Sequence, residues 1–290
     1  MKLDFNHIGG GHTKLDQNKG MLVDMHTHSR NSHDSECPVA DMAKAQAERG
    51  IAAFAVTDHC DILDYPEKDV LDCIKESVAE AEREDGKVIR VLKGIELGDG
   101  IWHPKLAEEA MKLADYDVVI GSVHTVLYKG YTRKDAYSRV DFSRMPKEDV
   151  YNYLTMYFED ILKMLKLLHC DIMAHLTCPL RYITGKYGIE VDITRFDKQV
   201  DEILEYIISH GIAMEINTAT WIPYHYTMPD ERILKRFVEL GGYLVTLGSD
   251  AHVAANAASG FAEAVAMLKS NGINNIYYFE KRTPIACAIE

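Results

Sequence analysis

Short, nearly continuous apolar runs alternate along this chain with longer segments whose apolar positions recur at helical spacing. The runs are "MLVDMH" (21–26), "IAAFAVTDH" (51–59), "VIRVLKGIEL" (88–97), "YDVVIGSVH" (116–124), "CDIMAH" (170–175), "IAMEIN" (212–217) and "YLVTLGSD" (243–250). Each has the length and β-branched content of a strand. Between them lie helical patterns such as "VADMAKAQAERG" (39–50), whose Gly50 suits a C-terminal stop, Lys147–Leu168 and Asp230–Leu240. A shorter run, "NIYYFEK" (275–281), follows the last helix. Strand–helix alternation predicts a parallel sheet, and strands without polar alternation predict burial on both faces.

No Pro/Ser-rich linker, repeat or low-complexity tract interrupts the pattern, so residues 21–290 read as a single domain. Residues 1–20 are polar and glycine-bearing, lack the apolar centre of a signal peptide, and read as a flexible N-terminal extension. His7 and His12 within it are given no role.

The polar residues decide between an open sheet and a barrel. His26 and His28, Asp58 and His59, Glu96, His124, His175, and Asp250 with His252 all fall at or just beyond the C-terminal ends of the seven runs. A closed β/α barrel gathers its chemistry above those ends, whereas an open sheet gathers it at a switch point and does not recruit nearly every strand. Singly, each has an ordinary explanation: a histidine at a strand end is usually a satisfied polar group, and Asp250 could cap a helix. Independent accidents would not all fall at the same end of consecutive strands. His103 and His225 in loops, and His169 and His210 at helix ends, break the pattern and read as structural or surface residues.

With 47% hydrophobic residues among 290, the chain can bury a barrel-sized core. A net charge of −13 argues against a nucleic-acid-binding surface. No stretch has the length of a membrane span. Six scattered cysteines without a C-x-x-C pair read as reduced thiols, which points to the cytoplasm.

"HTH" (26–28), "TDH" (57–59), Glu96 in "GIELG", "GSVH" ending at His124, "AHL" (174–176) and "GSDAH" (248–252) resemble the PHP (polymerase and histidinol phosphatase) metallohydrolases. Order, spacing and the C-terminal "YYFEKRTP" look most like the histidinol-phosphatase branch, over about Met21 to Pro284. The resemblance implies a distorted, TIM-like (β/α)7 barrel with two to three divalent cations. By motif, His26, His28, Glu96 and Asp250 would hold the first. Glu96, His124 and His175 would hold the second, and Asp34, His59 and His252 the third. His33 and Asp34 are adjacent and either could be the ligand; the family's spacing favours Asp34.

Imidazole and carboxylate donors without thiolate suit zinc, iron or manganese alike. Cations sharing a carboxylate acidify a water held between them and grip phosphate oxygens. Arg181, in "HLTCPLRY", resembles a phosphate-binding arginine of the family, though it equally reads as a surface arginine lying over the barrel. The loop 128–144 carries Lys129, Arg133, Lys134, Arg139 and Arg144 after His124 and reads as a substrate lid, with Arg139 the choice within it. Asp58 should face away from His59 in a regular strand and is given a supporting role. The segment "NTATWIPYHY" (217–226) lacks an arginine found there in some histidinol phosphatases.

The expected activity is therefore hydrolysis of a small phosphomonoester, L-histidinol phosphate first, with no stable nucleic-acid partner and no membrane association. Two alternatives stand beside it: hydrolysis of a nucleotide or oligonucleotide phosphate, and a non-catalytic metal-binding scaffold.

Overall fold

A computed structural model of the chain describes residues 20–61, 70–132 and 135–289. The N-terminal stretch read as an extension, with His7 and His12, lies outside the described residues apart from Gly20, and so do Arg133 and Lys134.

Seven parallel strands form the wall of a nearly closed barrel. They are β1 (Leu22–Thr27), β2 (Ile51–Val56), β4 (Arg90–Gly98), β5 (Val118–Ser122), β6 (Ile172–Met173), β7 (Ala213–Asn217) and β8 (Val245–Gly248), hydrogen-bonded in that order. Closure between β8 and β1 comes at the rim: the Asp250 N–H donates to His26 O (2.8 Å) and the His28 N–H to Ala251 O (3.0 Å). The buried Asp24 carboxylate fixes the same seam by accepting from the Ser249 N–H and hydroxyl. The closing contacts therefore lie among the residues that "HTH" and "GSDAH" contribute.

Helices α1 (Val39–Glu48), α2 (Val70–Glu84), α3 (Pro104–Met111), α4 (Lys147–Leu167), α5 (Asp197–His210), α6 (Glu231–Glu239) and α7 (Phe261–Ser270) connect the strands. Their apolar stripes supply much of the core: α4 buries Val150, Leu154, Tyr157, Phe158, Ile161 and Leu165. The sequence signals for helix ends hold. Gly50 has φ +75° just past α1, and the Asp230 side chain accepts from the Ile233 N–H at the start of α6.

One strand assignment differs from the sequence reading. The run 51–59 breaks at Thr57–Asp58, and a separate strand β3 (His59–Asp61) pairs with the end of β4, His59 opposite Glu96. The final run lies outside the wall, where β9 (Asn275–Glu280) pairs antiparallel with β10 (Thr283–Ala288). This hairpin packs at the opposite end from the histidines. The Lys281 and Arg282 N–H groups donate to Asp117, and the Arg282 guanidinium reaches Asp171 and His169 O, all just before β5 and β6 begin.

Among the described residues no helix is long and apolar enough to cross a membrane, and all six cysteines are unpaired.

Candidate metal centre

Glu96 stands at the centre of the rim with its side chain fully buried. Its Oε1 lies 3.0 Å from His175 Nε2 and 3.2 Å from His124 Nε2. Its Oε2 lies 2.7 Å from His59 Nδ1, 3.4 Å from His26 Nε2 and 3.6 Å from His28 Nε2. One carboxylate from β4 thus faces five imidazoles carried by four other strand ends.

Ring nitrogens meet in three pairs. His26 and His28 Nε2 are 3.1 Å apart, His124 and His175 Nε2 3.5 Å, and His59 and His252 Nε2 3.4 Å. Asp250 Oδ1 completes the first pair at 3.2 Å from His28 Nε2 and 3.8 Å from His26 Nε2. Asp34 completes the third, with carboxylate oxygens 3.6 Å from His59 and 3.2 Å from His252. His33 instead lies beside Asp34, its Nε2 3.9 Å away, with its ring centroid 5.2 Å from that of His59. The nine residues assigned by motif are brought together, in the same three groups.

The hydrogen bonds behind the rings orient them. His26 Nδ1 is 2.7 Å from Glu215 Oε1, His124 Nδ1 2.8 Å from Asp61 Oδ1, and His252 Nδ1 2.9 Å from the Asp250 carbonyl. Each partner is an acceptor, so each Nδ1 carries the hydrogen and each Nε2 is left with its lone pair. His28 reaches the same state through Ser32, whose hydroxyl donates to Asp58 (2.8 Å) and so accepts from His28 Nδ1 (3.0 Å). Asp58 is held in turn by Ser29 and Ser77, behind the rings, as its expected supporting role requires.

Facing lone pairs repel unless a proton or a cation lies between them. Two nitrogens each about 2.0–2.1 Å from one zinc-sized ion in tetrahedral geometry stand roughly 3.3 Å apart. The three observed pairs bracket that spacing. In addition, Glu96 Oε2 and His59 Nδ1 are buried without a hydrogen-bond partner despite their 2.7 Å approach, because the contact lacks hydrogen-bond alignment. Orphaned buried donors of this kind, in an imidazole–carboxylate set, fit divalent cations.

The electrostatics agree. Burial alone would push Glu96 upward, but His124, His26 and His59 hold its carboxyl well below the usual carboxylate range. Burial likewise opposes ionisation of Asp250, and His26, His28 and His252 outweigh it. Conversely, His26 and His124 are driven down by burial but raised well above the ordinary imidazole value by carboxylates, Glu215 first for His26 and Asp61 first for His124. The site favours positive charge at its centre, whether proton or metal ion.

Glu215 and Asp61 were not anticipated. Asp61 sits two residues after His59, on the same face of β3, so period-two alternation could have found it. Glu215 carries no local signal, since its partners come from β1 and from His175. Space for both acids comes from glycines at strand ends: a Cβ on Gly98 would overlap Asp61 Oδ1, and one on Gly248 would overlap Glu215 Oε1. Backbone strain also concentrates here, with Asp250 at φ +52° and His175 at φ +23°.

The arginines fare differently. Half-buried Arg181 and exposed Arg139 both line the hollow over the metal-facing side chains, together with Tyr137, Cys178 and Tyr182. Two other basic residues of the loop pair locally. Lys129 pairs with Asp149 (2.7 Å) and Arg144 with Asp141 (3.2 Å), both on the surface, where such pairs are worth little. His169, His210 and His225 are exposed and His103 precedes α3, as expected.

Comparison with known proteins gives a consistent family. The PHP domain matches residues 24–219. The chain is similar to a probable histidinol-phosphatase of Clostridium acetobutylicum, 30% identical over 90% of this chain and 98% of that one. A probable histidinol-phosphatase of Thermotoga maritima is 27% identical over 86% and 91%. The crystal structure of histidinol phosphate phosphatase from Lactococcus lactis, complexed with zinc, L-histidinol and phosphate, has a TM-score of 0.74. It covers 91% of this chain and 98% of that one at 23% identity.

Proposed function

Because this chain belongs to the PHP family of phosphoesterases, we propose that it is a metal-dependent phosphomonoesterase whose substrate is L-histidinol phosphate. The observation that carries the reading is the gathering of six imidazoles in three close Nε2 pairs around the rim, five of the rings against the buried Glu96 carboxylate, beneath two arginines. The histidinol-phosphatase names of the relatives support the choice of substrate.

In this reading His26, His28 and Asp250 would hold one cation, His124 and His175 a second, and Asp34, His59 and His252 a third, with Glu96 available to the first two. Bound cations supply acidification of a water and neutralisation of phosphate charge. The protein's own contribution is placement. Glu215, Asp61 and the Ser32–Asp58 pair keep the rings in the one tautomer that offers Nε2, so little reorganisation is needed on loading. Arg181 and Arg139 bind the terminal phosphate oxygens, fixing phosphorus above Glu96. Tyr137 packs edge-on against His124, with ring centroids 5.9 Å apart, and narrows the access of bulk water.

The test is an assay of protein reconstituted separately with zinc, manganese and iron against L-histidinol phosphate, nucleoside monophosphates and bis-p-nitrophenyl phosphate. The expected result is a kcat/KM for L-histidinol phosphate above all others. Preference for a nucleotide would replace the substrate, and turnover of none would leave a metal-binding scaffold.

A further inference from the structure

Residues 28–38, which join β1 to α1, bring His28 and Asp34 to the rim. His28 is seated by Ser32 and Asp58, but the Asp34 carboxylate is 44% exposed where it faces His59 and His252. The anchor of this loop lies outside the rim, on α2. Glu80 is 4% exposed, and its carboxylate reaches both ends of the loop. At the start, Oε2 accepts from Arg30 Nε (3.1 Å) and from the Asn31 amide (3.2 Å), while Oε1 lies 3.1 Å from Arg30 Nη2. At the far end Oε1 accepts from the N–H of Val39, the first residue of α1, at 3.3 Å.

Each contact has a physical reason. Helix α1 starts at Pro38, whose side chain offers no cap, so its first N–H groups need an acceptor from elsewhere. A carboxylate placed there also answers the positive end of the helix. The planar Arg30 fork makes two bonds to Glu80, which fixes the direction of the chain as well as its distance. Between these anchors the loop closes on itself, the Arg30 N–H donating to Cys37 O (2.9 Å). Beside Asp34, the Ser35 hydroxyl donates to His252 O (2.8 Å). Asp34 is therefore held between a base fixed by Glu80 and a tip tied to His252. Ser77 lies one turn before Glu80 on α2, and its hydroxyl donates to Asp58 (2.6 Å). Helix α2 thus backs the rim twice, with Ser77 behind His28 and Glu80 behind Asp34.

We propose that Glu80 is a positioning residue for the outermost donor group: by clamping both ends of residues 28–38 it sets Asp34 against His59 and His252. The inference rests on the three-cation reading and adds to it the residue on which the third group depends. Glu80 acts through the loop and is not itself a ligand. Without the clamp, His59 stays on β3 and His252 beyond β8, so the group keeps its two imidazoles and loses its carboxylate. The other two groups draw their ligands from strand ends. His28 keeps its seat as well, because Ser32 has its own anchor in Asp58.

The test titrates metal-free protein with zinc against a chromophoric chelator, in wild type, Glu80→Gln, Arg30→Ala and Asp171→Asn. Glu80→Gln keeps the shape, but its single acceptor oxygen cannot serve both ends of the loop. Arg30→Ala alters a side chain that is 53% exposed. Asp171→Asn is the matched control: that carboxylate also pairs with an arginine, Arg282, and accepts a backbone N–H, from Val119, but at the opposite end of the barrel. One zinc equivalent should weaken by about tenfold or more in Glu80→Gln and by less in Arg30→Ala. The other two should bind as in wild type, and Asp171→Asn should bind all three unchanged. Three unweakened equivalents in Glu80→Gln, or weakening of all three together, overturns the proposal. If Glu80→Gln does not fold, unweakened binding in Arg30→Ala overturns it. Should wild type take up no third equivalent, the three-cation reading falls, and hydrogen exchange of the metal-free protein still decides the clamp. Faster exchange of the Arg30 and Val39 amides in Glu80→Gln, with β7 amides unchanged, supports it; equal rates overturn it.

Discussion

Glu215 Oε1 lies 2.7 Å from His26 Nδ1, across 189 residues of chain, and its second oxygen accepts the His175 N–H at 2.7 Å. One buried carboxylate thus orients two of the metal-facing histidines from behind. Glu215→Gln keeps the shape but offers a single acceptor oxygen to two donors, so one N–H must face the amide NH₂. Metal affinity should fall by roughly 10- to 100-fold while the fold persists. Titration of metal-free protein under circular dichroism control measures both; unchanged affinity would remove Glu215 from the site.

Much of this arrangement was legible beforehand, and the reason is geometric. Strands buried on both faces read as continuous apolar runs, and a barrel puts its polar residues where those runs end. His26 and His28, two residues apart, therefore declared themselves together. What stayed hidden depends on neighbours far away in sequence. The break at Thr57–Asp58 follows from pairing of His59 with Glu96, which no local pattern encodes. β6 is only two residues long because the chain turns at His175 with φ +23°, leaving most of an apolar run outside the ladder. Glu215 acquires its role only when β7 and β8 curl round to β1. The basic loop looked like one functional unit, yet local acids pair with Lys129 and Arg144 on the surface, while Arg139 lines the hollow.

Replacing Arg181 or Arg139 with Ala separates phosphate binding from metal binding. An arginine guanidinium is cationic and only donates hydrogen bonds, so it is no metal ligand and metal content should not change. Loss of a charge-assisted contact of about 1.5–3 kcal/mol lowers kcat/KM by roughly ten- to a hundredfold. Half-buried Arg181 should matter more than exposed Arg139. Lys should restore little at either position, because a point charge cannot reproduce the planar fork. Near-wild-type kinetics in both variants would leave the cations as the phosphate anchors.

Asp160 offers a pH dependence remote from the site. Its side chain is buried on α4, Oδ2 has no hydrogen-bond partner, and burial pushes its pKa up to about 6 against the opposing Lys163. A carboxyl whose folded pKa exceeds its unfolded value favours the native state only while protonated. That advantage is complete at low pH and is lost as pH rises through about 4 to 6. Asp160→Asn should therefore raise stability at pH 8 by about 1–3 kcal/mol, and the gain should shrink towards zero as pH falls to about 4. Urea midpoints at the two pH values test the sign; an equal gain at both would assign it to packing instead.

The three groups of donors differ in their access to water, and that difference should set the order in which cations leave. Glu96 and His26 are fully buried and His175 is 3% exposed, whereas Asp34 is 44% and His252 26% exposed. A ligand that water can reach is displaced stepwise by hydration or by a chelator, while a buried ligand must first open the rim. Asp34 also has weaker backing than the buried acids: its contacts here are to His33, His59 and His252. With EDTA in excess, metal release followed by elemental analysis should be biphasic. One equivalent should leave quickly and the remainder slowly. Asp34→Asn should abolish the fast equivalent and keep the slow ones, since Glu96, His124 and His175 are untouched by the change. Release in a single phase from wild type, or loss of all metal from Asp34→Asn, would mean that the cations are held as one cooperative cluster.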